Sequence, residues 1–234
     1  MGIFDRFRKD KGPEVSEGGS RIHRYSEENW EKTPIGLAET LAETRKAREE
    51  VYLRRFGTAT QVWHEPIPPH IDVMEFYRSS ENGSVCTLVT SGMSDLAMKI
   101  PPKAEVPARV ELIFYCKEPQ QVYNSTLRFL AHFAHDQKTW IGAFHTIPLG
   151  NESKGIMGSS TLDTIFLLPP IVKKDQDLGG ELILNGDAVE FLWVVPISAA
   201  ECKLKLDKGS GALLDVFTQN RHPHVYDPKR KSYV

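Results

Sequence analysis

Three side chains in one short stretch have the types and spacing for acid–base or metal chemistry: His70, Asp72 and Asp95. An imidazole and a carboxylate two residues apart on a strand share a face and stand about 6.6 Å apart. A second carboxylate across from them would extend that set toward a metal site. Ser91 or Ser94 could then serve as nucleophile, or His145 as third ligand, which defines a hydrolase or metalloenzyme reading. Against it, the serines lie in Thr90-Ser-Gly-Met-Ser-Asp95 and not in a Gly-x-Ser-x-Gly elbow. A turn closed by Ser94 and Asp95, with His70 hydrogen-bonded in the core, accounts for the same residues. The expectation is therefore no catalytic residue, no metal and no cofactor.

His132-x-x-His135 sets two imidazoles one helical turn apart, but no third ligand follows at a recognisable spacing and no Glu lies between them. Together with Arg128 they read as a solvated helix face. The same caution covers His222 and His224.

A β-hairpin must position the cluster. Both its arms are rich in Val, Ile, Phe, Tyr and Thr, and Asn82-Gly83 between them is a strong two-residue turn signal. With those two as the central turn residues, Tyr77 faces Leu88, Asp72 faces Met93 and His70 faces Asp95. A longer loop would shift this register and scatter the cluster.

The remaining elements are cover for this pair. Ile35 to Phe56 reads as a helix closed by Gly57, its Glu39, Glu43, Arg45, Lys46, Arg48, Glu49 and Glu50 forming a solvated face. Gln61 to Glu65 is a short strand, and Arg109 to Lys117 a strand buried on both faces. Pro119 opens a helix with Tyr123, Leu127, Leu130 and Ala134 on its apolar side. Trp140 to Leu149 reads as extended, Gly150 to Ser160 as a surface loop, and Thr164 to Leu168 as a strand. Glu181 to Leu184 and Val189 to Val195 flank Asn185-Gly186 as a second hairpin whose second arm is central. Ser198 and Glu201 have capping-box spacing, starting a helix toward Gly209, with a further helical piece from Ala212 to Phe217. The fold expected is α+β (mixed α/β), with a central, mostly antiparallel twisted sheet flanked by helices. Residues 1–24 are expected as a flexible tail, 25–217 as the domain and 218–234 as an irregular tail.

At 234 residues the chain suits one domain with a full core, and its formal charge of -2 gives no general attraction for nucleic acid or an anionic membrane. No apolar run is long enough to span a bilayer. Three scattered cysteines without a Cys-x-x-Cys pair fit a reducing cytoplasm. The oligomeric state is left open.

The hairpin with its closing Thr90 to Asp95 resembles the suppressor of fused domain. So do, in order, Val110-Glu-Leu-Ile-Phe114, the helix and Ile147-Pro-Leu149 after it, Ile165-Phe-Leu-Leu168, Phe191 to Glu201, and Gly211-Ala-Leu-Leu214. The resemblance covers roughly Ile35 to Phe217. It implies a mixed α/β protein-binding domain without catalytic apparatus. In animals this is the N-terminal part of a two-domain clamp that sequesters zinc-finger transcription factors in Hedgehog signalling. Bacterial relatives are single domains, some resembling immunity proteins that neutralise toxins. This sequence lacks the second domain and the long insertion of the animal pattern, which points to the bacterial type. The partner implied is another protein, encoded by a neighbouring gene. The motif carries over Gly92, Ser94 and Asp95 as binding positions beside His70 and Asp72.

Overall fold

The computed structural model describes residues 14–24, 41–65, 70–80, 83–101, 104–149 and 155–234. Strands β1 (Glu14–Val15) and β2 (Arg21–Ile22) form a small hairpin of their own. The chain continues through α1 (Leu41–Phe56), β3 (Gln61–Trp63), β4 (Asp72–Ser80), β5 (Gly83–Ser91) and β6 (Arg109–Cys116). It then runs through α2 (Gln121–Asp136), β7 (Thr146–Pro148), β8 (Thr164–Leu168), β9 (Ile183–Leu184), β10 (Asp187–Ile197) and α3 (Ala199–Gln219). The main sheet has the order β3-β4-β5-β6-β10-β8-β7, with β9 attached to β10. Its ladders are antiparallel except β6 with β10, which is parallel. The mixed α+β class expected from the sequence is the one observed. No helix among the described residues is long and apolar enough to cross a membrane.

Both faces of the sheet are covered, and strand alternation sorts the side chains between them. Val110, Leu112, Phe114 and Cys116 of β6 point to the face under α2, where Leu127, Leu130 and Ala134 meet them. Ile113 and Tyr115 point to the other face, with Tyr52 and Phe56 of α1 and Leu213 and Phe217 of α3. β10 divides likewise, Leu192 and Val194 against Phe191, Trp193 and Val195. Leu88, Phe114 and Phe191 are buried. Asn185 and Gly186 both have positive φ, so the second hairpin closes with the turn that Asn-Gly favours, and β10 is central between β6 and β8. Ser198 and Glu201 form the capping box, and Gly209 (φ 87, ψ 166) breaks α3 where a boundary was read.

Several expectations change. In the first hairpin Ser80 pairs with Gly83, Tyr77 with Cys86 and Asp72 with Ser91, a slide of two residues from the register read off Asn82-Gly83. The residues between Ser80 and Gly83, Asn82 included, lie outside the described set. The slide keeps every side chain on its face because the strand period is two, so packing is satisfied in either register. Leu88 takes its place opposite Phe114.

α1 is described from Leu41; residues 35–40 lie outside the described set. Arg48 is not on a solvated face: it is 2 % exposed, one turn before Tyr52 on the side that meets the sheet. The polar side of α2 is also not solvated, since Arg128 donates to the carbonyls of Trp63 and Ile71 and His132 meets Glu65. Of Trp140 to Leu149 only β7 is extended; Phe144 takes a positive φ and His145 N–H closes a turn on Gly142. In the loop after β7, residues 150–154 lie outside the described set and Met157 is buried rather than at the surface.

The irregular segment after α3 is strapped to the domain. Arg230 grips the Glu201 carboxylate with both terminal nitrogens at 2.6 and 2.9 Å, and Tyr226 packs against Phe114 and Tyr123.

Candidate functional site

The motif at the end of β5 is built around a carboxylate it does not contain. Glu111 sits in the middle of β6 with no exposed surface. β5 ends at Ser91, and Gly92 (φ 129) turns the chain into a single 3-10 turn, Met93–Asp95. Only glycine serves there: the φ is left-handed, and a Cβ would collide with the carbonyl oxygen of His70. The turn aims the N–H groups of Gly92 and Ser94 at Glu111 Oε1, at 3.1 and 3.0 Å. Ser94 Oγ donates to the same oxygen at 2.5 Å, and Thr90 Oγ1 donates to Oε2 at 2.6 Å while accepting from Leu112 N–H.

α1 lies over this cradle. Arg48 donates from Nη1 to Asp95 Oδ1 at 2.5 Å and from Nε to Ser91 Oγ at 2.9 Å, with Nε 3.8 Å from Glu111. Tyr52 donates to the Thr90 carbonyl. Arg109 donates to the carbonyls of Ser94 and Asp95, both at 2.8 Å, and reaches Asp187. Burial pushes the Glu111 carboxyl up, against the pull of Arg48 and its donors. Burial and then the Glu111 charge raise the Tyr52 phenol well above its ordinary range. This is a charged fastener joining α1, β5 and β6, since an unpaired ion at this depth would cost several kcal/mol.

The other two expected residues lie outside the fastener. His70 is exposed and precedes β4, with Nδ1 at 2.6 Å from the Glu65 carbonyl, so it is neither a core residue nor opposite Asp95. Asp72 accepts from Glu65 N–H and meets His64 Nδ1 at 2.9 Å. Glu65 in turn contacts His132, whose pKa this hydrogen bond raises, while burial lowers that of His135. His145 precedes β7, at the sheet edge opposite β3, and stacks edge-on to Trp140. It does not join His70 and Asp72.

Each hydroxyl and carboxylate of the hydrolase reading already has a protein partner: Ser91 and Asp95 take Arg48, Ser94 takes Glu111, and Asp72 takes His64. Among the described residues no group of three His, Cys, Asp or Glu could hold a metal ion. Between α1 and the β3–β4 edge lies an open cleft of about 610 Å³, lined by Lys46, Glu49, His64, His70 and Asp72, with Asp95 and Arg48 at its wall.

Sequence reasoning missed Glu111, Arg48, Arg109 and Tyr52. Two signals were available: a glutamate inside a strand read as buried on both faces demands compensation, and Arg48 shares its helix face with Val51 and Tyr52.

A three-layer domain with one parallel junction and a carboxylate-centred turn defines a mixed α+β scaffold of a particular kind. The suppressor of fused protein family matches residues 68–231, and the chain belongs to that family. No curated protein matches the sequence. Among solved structures, a suppressor of fused homolog from Neisseria gonorrhoeae is 14 % identical with a TM-score of 0.62, over 82 % of this chain and 97 % of that one. The Sufu-Fu complex gives 12 % and 0.55, covering 83 % and 92 %. Drosophila Suppressor of Fused gives 10 % and 0.52, covering 80 % of this chain and half of that one.

Proposed function

We propose that this domain holds a partner protein and catalyses nothing itself. The observation that carries the reading is the inward use of the motif: the polar side chains of Thr90, Ser91, Ser94 and Asp95 are all committed to Glu111 or Arg48. The family supports it too, since one structure of this fold is the Sufu-Fu complex. Binding falls to the cleft between α1 and the β3–β4 edge, where Lys46, His64 and His70 are exposed. Gly92, Ser94 and Asp95 act from beneath, by fixing the wall that carries Ser91 and Arg48.

Asp72 and Asp95 are engaged by internal partners, so complementarity rests on the mixed rim and on main-chain pairing along the edge strand β3. The partner is the product of a neighbouring reading frame, which the domain sequesters or neutralises in the cytoplasm, as an immunity protein does. A bacterial origin is supported by the existence of a homolog of this fold in Neisseria gonorrhoeae.

The test is calorimetric titration of the purified chain with the neighbouring gene products, repeated with Lys46→Glu and with His64→Ala/His70→Ala. Saturable binding weakened tenfold or more in folded rim variants supports the reading. Binding unchanged in both variants moves the interface elsewhere, and absence of binding to every neighbour removes the proposed partner.

A further inference from the structure

Cys86 and Cys116 stand directly opposite each other on β5 and β6. Both side chains are buried on the face under α2. Directly opposed residues of an antiparallel ladder have Cα atoms about 4.5 to 5.5 Å apart, inside the span of about 4.4 to 6.8 Å that a disulfide bridges. Tyr77 extends the row on β4, opposite Cys86, and is 42 % exposed, so the dithiol lies one strand in from an open flank. The remaining cysteine, Cys202, is on α3 in the core across the sheet. It serves as an internal control.

We propose that Cys86 and Cys116 are a redox pair that a peroxide converts to a cross-strand disulfide stapling β5 to β6. One sulfur attacks the peroxide, forming a sulfenic acid and releasing one water. The second thiol displaces the hydroxyl, forming the S–S bond and releasing a second water. Two thiols lose two electrons and two protons, and hydrogen peroxide is reduced to two waters. The adjoining Cys86 side chain and burial push the Cys116 thiol up, so reaction waits for the strands to part. The same enclosure shields the finished bond from reductants.

Hydrogen peroxide is added to the folded full chain and then removed, the free thiols are alkylated in denaturant, and intact mass and peptide maps are read. Expected are one alkylatable thiol where the reduced protein has three, a mass lower by about 2 Da before alkylation, and a link between residues 86 and 116. Cys202→Ser retains the link, and Cys86→Ser loses it. The wild-type chain gives the decisive reading, whatever the folding of the variants. Three thiols persisting after prolonged exposure, oxygen additions at Cys86 or Cys116 without the mass loss, or a link through Cys202 overturns the proposal.

Discussion

Arg48 of α1 and Asp95 at the end of the β5 turn form a buried ion pair, Nη1 to Oδ1 at 2.5 Å, with side chains 2 % and 8 % exposed. The pair shares its guanidinium with Ser91 and approaches Glu111, so one cation answers for two buried carboxylates. Arg48→Met keeps the stem and removes the charge. It is expected to cost about 3 to 5 kcal/mol, the usual result of leaving buried charge unpaired. Urea unfolding of the variant measures this, and a cost below 1 kcal/mol would mean that water already compensates the cluster.

Ser94→Ala removes one of the donors on Glu111 Oε1 and leaves the backbone donors in place. The expected loss is about 1.5 to 3 kcal/mol, the range for a hydrogen bond to a charged group. Any residual binding of the partner should persist at low temperature, because the hydroxyl is buried beneath the cleft rather than in it. Loss of binding in a fully folded Ser94→Ala chain counts against the fastener role.

Leu88→Ala and Phe114→Ala delete neighbours on the face under α2. Each should cost about 2 to 5 kcal/mol through lost transfer energy and the cavity left behind. The paired deletion should fall short of the sum of the two, since the side chains share a cavity.

Stability should fall as pH drops from about 6.5 to about 4. Burial holds both His145 and His222 near pKa 4, so the unfolded chain takes up protons through this window and the folded chain does not. Each contributes on the order of 1 to 3 kcal/mol above pH 6.5, lost progressively below it. His222→Phe, which keeps the stack on Phe217, should flatten part of that slope in pH-dependent melting. An unaltered slope would show that His222 titrates normally. Further down, Glu201 adds its own loss: burial raises its pKa but Arg230 and the backbone donors outweigh it, so acid removes that stabilisation below about 4.5.

What could be read in the sequence was local pattern. The unbroken apolar runs of β6 and β10, the helical stripe of Tyr123, Leu127 and Leu130, and the Ser198–Glu201 box are all local, and all hold. What could not be read was which charge answers which. Glu111 lies 63 residues beyond Arg48, and no local spacing links a helix cation to a strand anion that meet only after the sheet has formed. The hairpin register failed for a different reason: the polar run around Asn82 admits more than one turn, and a slide of two leaves every side chain on its face, so the hydrophobic pattern does not choose between them. The motif was legible, but the carboxylate that its turn holds was not, because Glu111 comes from the neighbouring strand.

The parallel junction sets a kinetic order. β3 through β6 pair as neighbours in sequence, and β7, β8 and β10 form a second antiparallel group. Among the described residues the two groups share strand pairing only where Arg109 to Ile113 lies beside Val189 to Trp193, residues 80 positions further along the chain. Closing so long a loop carries an entropy cost that local hairpins do not have, so each group should gain structure before they join. The molecule then assembles as two half-sheets zipped along one late seam, and hydrogen exchange in native conditions should find that seam opening ahead of either half.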